Sequence, residues 1–130
     1  MAVIQIFDAT DAERAAFQQL EGVHTVSYVD EPLSMDALNE NTEILSVFVS
    51  STIDAEVMRA LPKLKLITCR STGFNNVDMK AATSRDIHVV NVPTYGEHTV
   101  AEFTIGLVIA LARKIITDAE QMLSTDEDKK

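Results

Sequence analysis

Apolar positions along this chain follow two alternating rhythms. Short, nearly continuous runs at 3–7, 25–29, 44–49, 66–70 and 88–92 are rich in Val, Ile and Leu. Runs of that length and composition read as strands. Between them the apolar residues recur at helical spacing, and each stretch opens on a residue suited to capping. Thr10 or Asp11 opens a helix over 12–20, with Ala15, Ala16 and Leu20 on one face, and Gly22 stops it. Ser34 opens a short helix over 35–39. Thr52 or Asp54 opens one that runs to Leu61 before Pro62, and Asn76 or Asp78 opens one over 77–84. The last helical stretch is longer. Thr99-Val100-Ala101-Glu102 reads as a capping box, and from Val100 to Met122 no residue breaks the pattern. Gly106 is its weak point, costing about 1 kcal/mol against Ala unless close packing offsets it.

Five strands alternating with helices predict an α/β fold with a parallel sheet, right-handed crossovers and helices on both faces. The strand at 44–49 is apolar almost throughout, as a strand covered on both faces must be. The expected architecture is a flavodoxin-like five-stranded sheet in the order 2-1-3-4-5, followed by a long helix. Ligands of such sheets bind at the carboxyl ends of the strands. The loops to inspect are therefore 8–11, 50–53, 71–76 and 93–99, and the last two share one rim. The long helix is apolar on most of its circumference as far as Ile116, so it must be covered on several sides. At roughly 1.5 Å per residue it would be about 35 Å long, against a radius of gyration of roughly 14 Å for a domain of this size. It is expected to leave its own domain and pack on a second domain, a second subunit or both. The chain then divides into a sheet domain at 1–98, the long helix at 99–123 and a polar tail or linker at 124–130, and it reads as truncated after a helix that needs a partner.

Charge narrows the list of partners. A net charge of −9 leaves no basic patch to neutralise phosphates, which argues against nucleic acid. Glu102, Thr104 and Arg113 bound an apolar run well short of the about 20 residues of a membrane span, so no membrane is expected. The single cysteine, Cys69, cannot form an intrachain disulfide and suits a reducing compartment. With no basic and then apolar N-terminal segment, the expected location is cytoplasmic.

The loop Arg70-Ser71-Thr72-Gly73-Phe74-Asn75-Asn76 is the best place for chemistry. Gly73 permits positive φ, so successive backbone N–H groups can converge on an anion such as a carboxylate, with Arg70 alongside to add charge. Gly73 is equally readable as a plain strand-to-helix turn. Tyr95, in Pro93-Thr94-Tyr95-Gly96, either donates its phenol across the rim to a ligand or packs on the sheet end with its hydroxyl wet. His98 near the rim reads as a polar residue at a helix start, and His24 and His88 lie at the far ends of their strands. Cys69, inside a strand, reads as a small core residue. No group of residues has metal-ligand spacing. Only four glycines occur, at 22, 73, 96 and 106, so neither G-x-G-x-x-G nor a P-loop is possible.

Three motifs in these loops carry a family resemblance. Arg70-Ser71-Thr72-Gly73-Phe74-Asn75-Asn76-Val77-Asp78, then Asn91-Val92-Pro93-Thr94-Tyr95, then Val100-Ala101-Glu102 resemble, in order and spacing, the D-isomer-specific 2-hydroxyacid dehydrogenases. The Asn-Val-Pro-x-Tyr form is most similar to the D-lactate dehydrogenase branch. The resemblance is specific over 64–114; the first 60 or so residues match in pattern only. It implies a two-domain enzyme that interconverts a 2-oxo acid and a D-2-hydroxy acid. A flavodoxin-like domain would hold the substrate, and a Rossmann domain, outside these 130 residues, would hold NAD. It further implies substrate binding by Ser71, Thr72, Gly73 and Tyr95, cofactor contacts from Thr72 and Val100, and a homodimer through helix 100–122. The family's catalytic Arg, Glu and His and its dinucleotide fingerprint match nothing in this chain, so no catalytic residue is expected here and the chain alone should be inert. Relatives often carry Asp where this chain has Asn75. The alternative is a free-standing flavodoxin-like carboxylate-binding or dimerisation module. Its receiver version fails, because Val49-Ser50-Ser51 and Val92-Pro93-Thr94 offer neither the Asp nor the Lys that receivers need, and Asp8-Ala9-Thr10-Asp11 is not a flavin phosphate loop.

Overall fold

The computed structural model describes residues 1–127, which fall into two units, Met1–Pro93 and the segment from Thr94 onward. The first is a five-stranded parallel sheet in the order β2-β1-β3-β4-β5. Its strands are β1 (Val3–Phe7), β2 (Thr25–Val29), β3 (Ile44–Val47), β4 (Leu66–Cys69) and β5 (His88–Val90). Its helices are α1 (Asp11–Phe17), α2 (Ala55–Ala60) and α3 (Met79–Ser84).

Register assigns every side chain to a face. Ile6 stands opposite Ser46, Ser46 opposite Thr68 and Thr68 opposite Val90. Because strand side chains alternate, Ile4, Ile6, Ser46, Thr68 and Val90 share one face, and Gln5, Phe7, Leu45, Val47, Ile67 and Cys69 share the other. The second face is the larger core. Phe7, Leu45, Val47 and Ile67 are buried there against Val57 and Met58 of α2, Leu61 and Ala82 of α3. On the first face Ile4 and Ile6 pack with Phe17 of α1 and Leu20 of the 3-10 turn that follows it. Gln5 is the polar exception inside the core. Its amide donates to the Ala37 carbonyl at 2.6 Å and accepts from the Asn39 N–H and the Thr42 hydroxyl at 3.1 Å each. A buried amide so satisfied costs little and pins the irregular 35–42 connection.

Local chemistry explains where the elements begin. Thr10 and Glu13 form a reciprocal capping box on α1. Asp54 caps α2 through the N–H groups of Glu56 and Val57, and Asp78 caps α3 through those of Lys80 and Ala81. Ser34 makes no side-chain cap to its one-turn helix, Met35–Ala37. Three elements are shorter than their apolar runs predict. Phe48 and Val49 leave the sheet after β3, Val92 leaves it after β5, and Val77 forms a parallel bridge with Ile53 that delays α3 to Met79.

The second unit corrects the expectation of one unbroken helix over 100–122. α4 (Glu97–Ala112) starts at Gly96, whose carbonyl accepts from the Val100 N–H at 3.0 Å, and it takes no side-chain cap. Thr99 and Glu102 therefore lie inside the helix, and Glu97 provides the first-turn negative charge. The helix ends at Arg113, and Lys114 turns left-handed at φ 55° before α5 (Ile115–Glu127) begins. The break falls at two adjacent cations, where the carbonyl end of α4 favours positive charge, and Asp118 stands in the first turn of α5. The polar tail expected at 124–130 is helical as far as Glu127, since Ser-Thr-Asp-Glu contains no breaker; 128–130 lie outside the described residues. No helix among the described residues is long and apolar enough to cross a membrane.

Candidate functional site

Two groups of residues meet at the carboxyl edge of the sheet, and they differ in what they leave available. The first closes the crevice between β1 and β3, where the strand order reverses and flavodoxin-type ligands bind. Arg70 follows Cys69 and so, by alternation, projects on the opposite face, towards α1. Its Nε donates to Glu13 Oε1 at 2.8 Å, Nη1 to the Ser46 hydroxyl at 3.1 Å, and Nη2 to the carbonyls of Phe7 and Asp8 at 2.7 and 2.9 Å. The Arg70 side chain is only 10% exposed. The expectation that Arg70 adds charge to the anion loop is therefore corrected: its guanidinium has five donor hydrogens and is committed to the fold. Burial pushes the Glu13 carboxyl up, but bonds from Thr10 and Arg70 and the Arg70 charge outweigh it and hold Glu13 below its ordinary value. The Asp8 carboxylate accepts from the hydroxyls of Ser50 at 2.8 Å and Ser51 at 2.7 Å. The first turn of α1 carries Asp11 and Glu13. Acidic side chains there oppose phosphate binding.

The second group is the loop after β4, and it is open. Ser71 is buried and donates its hydroxyl to the Gly73 carbonyl at 2.7 Å. Thr72, Gly73 and Phe74 are exposed. Among the described residues no acceptor meets the backbone N–H of any of the three. Asn91, just past β5, donates its side-chain amide to the Thr72 carbonyl at 2.8 Å, and the Val92 N–H donates to the Ser71 carbonyl at 3.0 Å. The loop thus turns carbonyls inward to neighbours and leaves N–H groups for a ligand. Gly73 does this without positive φ, contrary to the nest expected from sequence. Its small size has another use, since a Cβ there would stand 3.2 Å from Asn75 Oδ1. Beside the loop, Phe74, Met79, Val89, Val90 and Asn91 line an apolar groove of about 190 Å³, below the roughly 300 Å³ at which pockets for larger organic ligands begin.

The remaining candidates sit as follows. Ser71, Thr72 and Gly73 share one loop of the first unit. Tyr95 and Val100 belong to the second unit, at the approach to α4 and in its first turns, and are 64% and 66% exposed. His98 is exposed in α4. His24 accepts from the Ala2 N–H at 3.2 Å. Cys69 is buried, and burial pushes its thiol up, which disfavours the thiolate a nucleophile needs. Among the described residues no group of three His, Cys, Asp or Glu is placed to hold a metal ion. Asn91 stood in a motif but was given no role of its own from sequence, and Glu13 was not singled out. Glu13 had a signal, three residues after Thr10 in capping-box spacing.

Comparison with known proteins gives this geometry a family. The family model described as D-isomer specific 2-hydroxyacid dehydrogenase, catalytic domain, matches residues 4–129. The 2-hydroxyacid dehydrogenase homolog 1 of Schizosaccharomyces pombe is 40% identical over 118 residues, which is 86% of this chain and 36% of that protein. Among solved structures, the pyruvate reductase of Chlamydomonas reinhardtii superposes with a TM-score of 0.70 at 30% identity, over 96% of this chain and 38% of that one. The D-lactate dehydrogenase of Aquifex aeolicus, solved with NAD and lactic acid, shares the fold with a TM-score of 0.78 at 23% identity, over 92% and 37% of the two chains. The chain thus spans just over a third of the length of these relatives. Carrying the family's sheet and motif loops over nearly all of its length, it belongs to the D-isomer-specific 2-hydroxyacid dehydrogenases.

Proposed function

We propose that this chain is the substrate-binding portion of an NAD-dependent oxidoreductase that interconverts a 2-oxo acid and a D-2-hydroxy acid. The observation that carries this reading is the set of free N–H groups at Thr72, Gly73 and Phe74 on an exposed loop whose carbonyls are held elsewhere. Such donors suit a carboxylate, and their strength does not depend on a side-chain charge. Ser71 shapes the loop through its bond to Gly73, and Thr72 and Gly73 donate to the substrate carboxylate. Tyr95 adds a phenol donor. NAD supplies or accepts the hydride. On this reading the chain contributes contacts only to the nicotinamide end of that cofactor, from Thr72 and Val100. It does not fit the pyrophosphate, since the β1 turn lacks glycines and its helix opens on acids. The reading therefore assigns the rest of NAD to a Rossmann domain in a longer protein. It also assigns α4, which buries none of its residues, to a homodimer interface.

The test is a titration of the isotope-labelled chain with pyruvate, followed by amide NMR. Saturable shifts confined to the amides of 71–74 are expected, with no NADH oxidation, because this reading assigns the hydride site and the acid–base pair to the rest of a longer protein. Shifts scattered over the surface would overturn the site, and clear turnover by the chain alone would overturn its assignment as a half-site.

A further inference from the structure

The segment 71–75 hangs between two side chains that lead to one place. At its start Arg70 reaches the Phe7 and Asp8 carbonyls. At its end Asn76 donates its side-chain amide to the Ser51 carbonyl at 2.7 Å and the Phe48 carbonyl at 3.2 Å. Ser50 and Ser51 in turn donate to the carboxylate of Asp8. The backbone repeats the tie, as the Ile53 N–H donates to the Asn76 carbonyl at 2.8 Å. Both ends of the loop are thus fastened to the segments after β1 and β3, with Asp8 between them. Asp8 itself holds a left-handed backbone at φ 54°, a conformation that a residue other than glycine keeps only when its surroundings hold it.

We propose that Arg70 and Asn76 are positioning residues for substrate: they brace 71–75 through Asp8 so that the N–H groups of Thr72, Gly73 and Phe74 are already in place when a carboxylate arrives. The inference rests on the reading of this loop as the carboxylate site. Neither residue touches the ligand. Backbone donors are effective only when preorganised, because a loop that orders at the moment of binding subtracts its lost entropy from affinity. Arg70 suits the task because its fork reaches four acceptors, on β1, β3, α1 and the turn after β1. A lysine ammonium, compact and point-like, does not span them.

The experiment compares the chain with its Arg70→Lys and Asn76→Ser variants by NMR relaxation and pyruvate titration, with Lys65→Ala as control. Lys65 pairs with Glu43, at the opposite end of the strands. Both test variants are expected to keep the wild-type circular dichroism. The order parameters of the 72–74 amides should fall from about 0.85 towards 0.6. Pyruvate should bind about tenfold more weakly, the scale of ordering one further residue on binding. Folded variants with wild-type order at 72–74 would overturn the brace. If Arg70→Lys does not fold, Asn76→Ser decides alone, since Asn76 is only half-buried. If the wild-type chain binds no 2-oxo acid, the carboxylate reading falls, while the order parameters still decide whether the brace exists.

Discussion

The loops after β1 and after β4 leave the same edge of one sheet and have opposite characters. In the first, two carboxylates are paired inside the fold: Glu13 with Thr10 and Arg70, Asp8 with Ser50 and Ser51. In the second, the Ser71 hydroxyl and the carbonyls of 71–74 are paired, and the N–H groups of 72–74 are not. The topology alone points to the β1–β3 crevice as the place for a ligand. Side chains close that crevice with Arg70 and shift the opportunity to the loop after β4. A fold therefore offers positions for a site, and the hydrogen-bond accounting decides which of them stays free.

Breaking the closed side should have the largest effect. Arg70→Met leaves Glu13 and two carbonyls without their donor, and is expected to cost about 3 kcal/mol in urea unfolding, the scale of a partly buried ion pair that loses one partner. A cost under about 1 kcal/mol, the level of a surface pair, would show that the closed crevice is incidental. Thr10→Ala removes the capping box and should cost about 1 kcal/mol. It also sharpens the pH behaviour. The folded Glu13 carboxyl lies below its ordinary value of 4.5. Its contribution is therefore fully present above that pH and is lost as pH falls through the folded value. An acid titration of stability should show this loss in the wild type and a shallower one in Thr10→Ala; identical acid limbs would contradict the role given to Thr10. Gly73→Ala should be the mildest for the fold, within about 0.5 kcal/mol, because φ is not positive and only Asn75 must move. Its effect should appear instead in pyruvate affinity, as a loss of several-fold, and unchanged affinity would separate Gly73 from the site.

Much of this was legible along the chain. Apolar runs and caps located all five strands, and the 2-1-3-4-5 order followed from their alternation with helices. Ser71, Thr72 and Gly73 lie in the loop between β4 and α3, where the strand and helix pattern placed them. Arg70 was misread because charge beside a glycine turn suggests an anion site, whereas strand parity sends the side chain to the other face. The long helix was misread because Arg113-Lys114 contains neither Gly nor Pro, and the left-handed turn at Lys114 has no local sequence signal. Asn91 and Asn76 stand in the motif loops, but their bonds act across 19 and 25 residues of sequence, so no local pattern announces their partners.

What the sequence determined by itself is periodic or local. The rhythm of apolar residues set the element types, Thr10, Asp54 and Asp78 set three helix starts, and the spacing of three motifs set the family. Tertiary structure decided which donors and acceptors are spent. That depends on which strand neighbours which and on the face each side chain takes. It is why Arg70 is used up in the β1–β3 crevice while the N–H groups two to four residues later remain free.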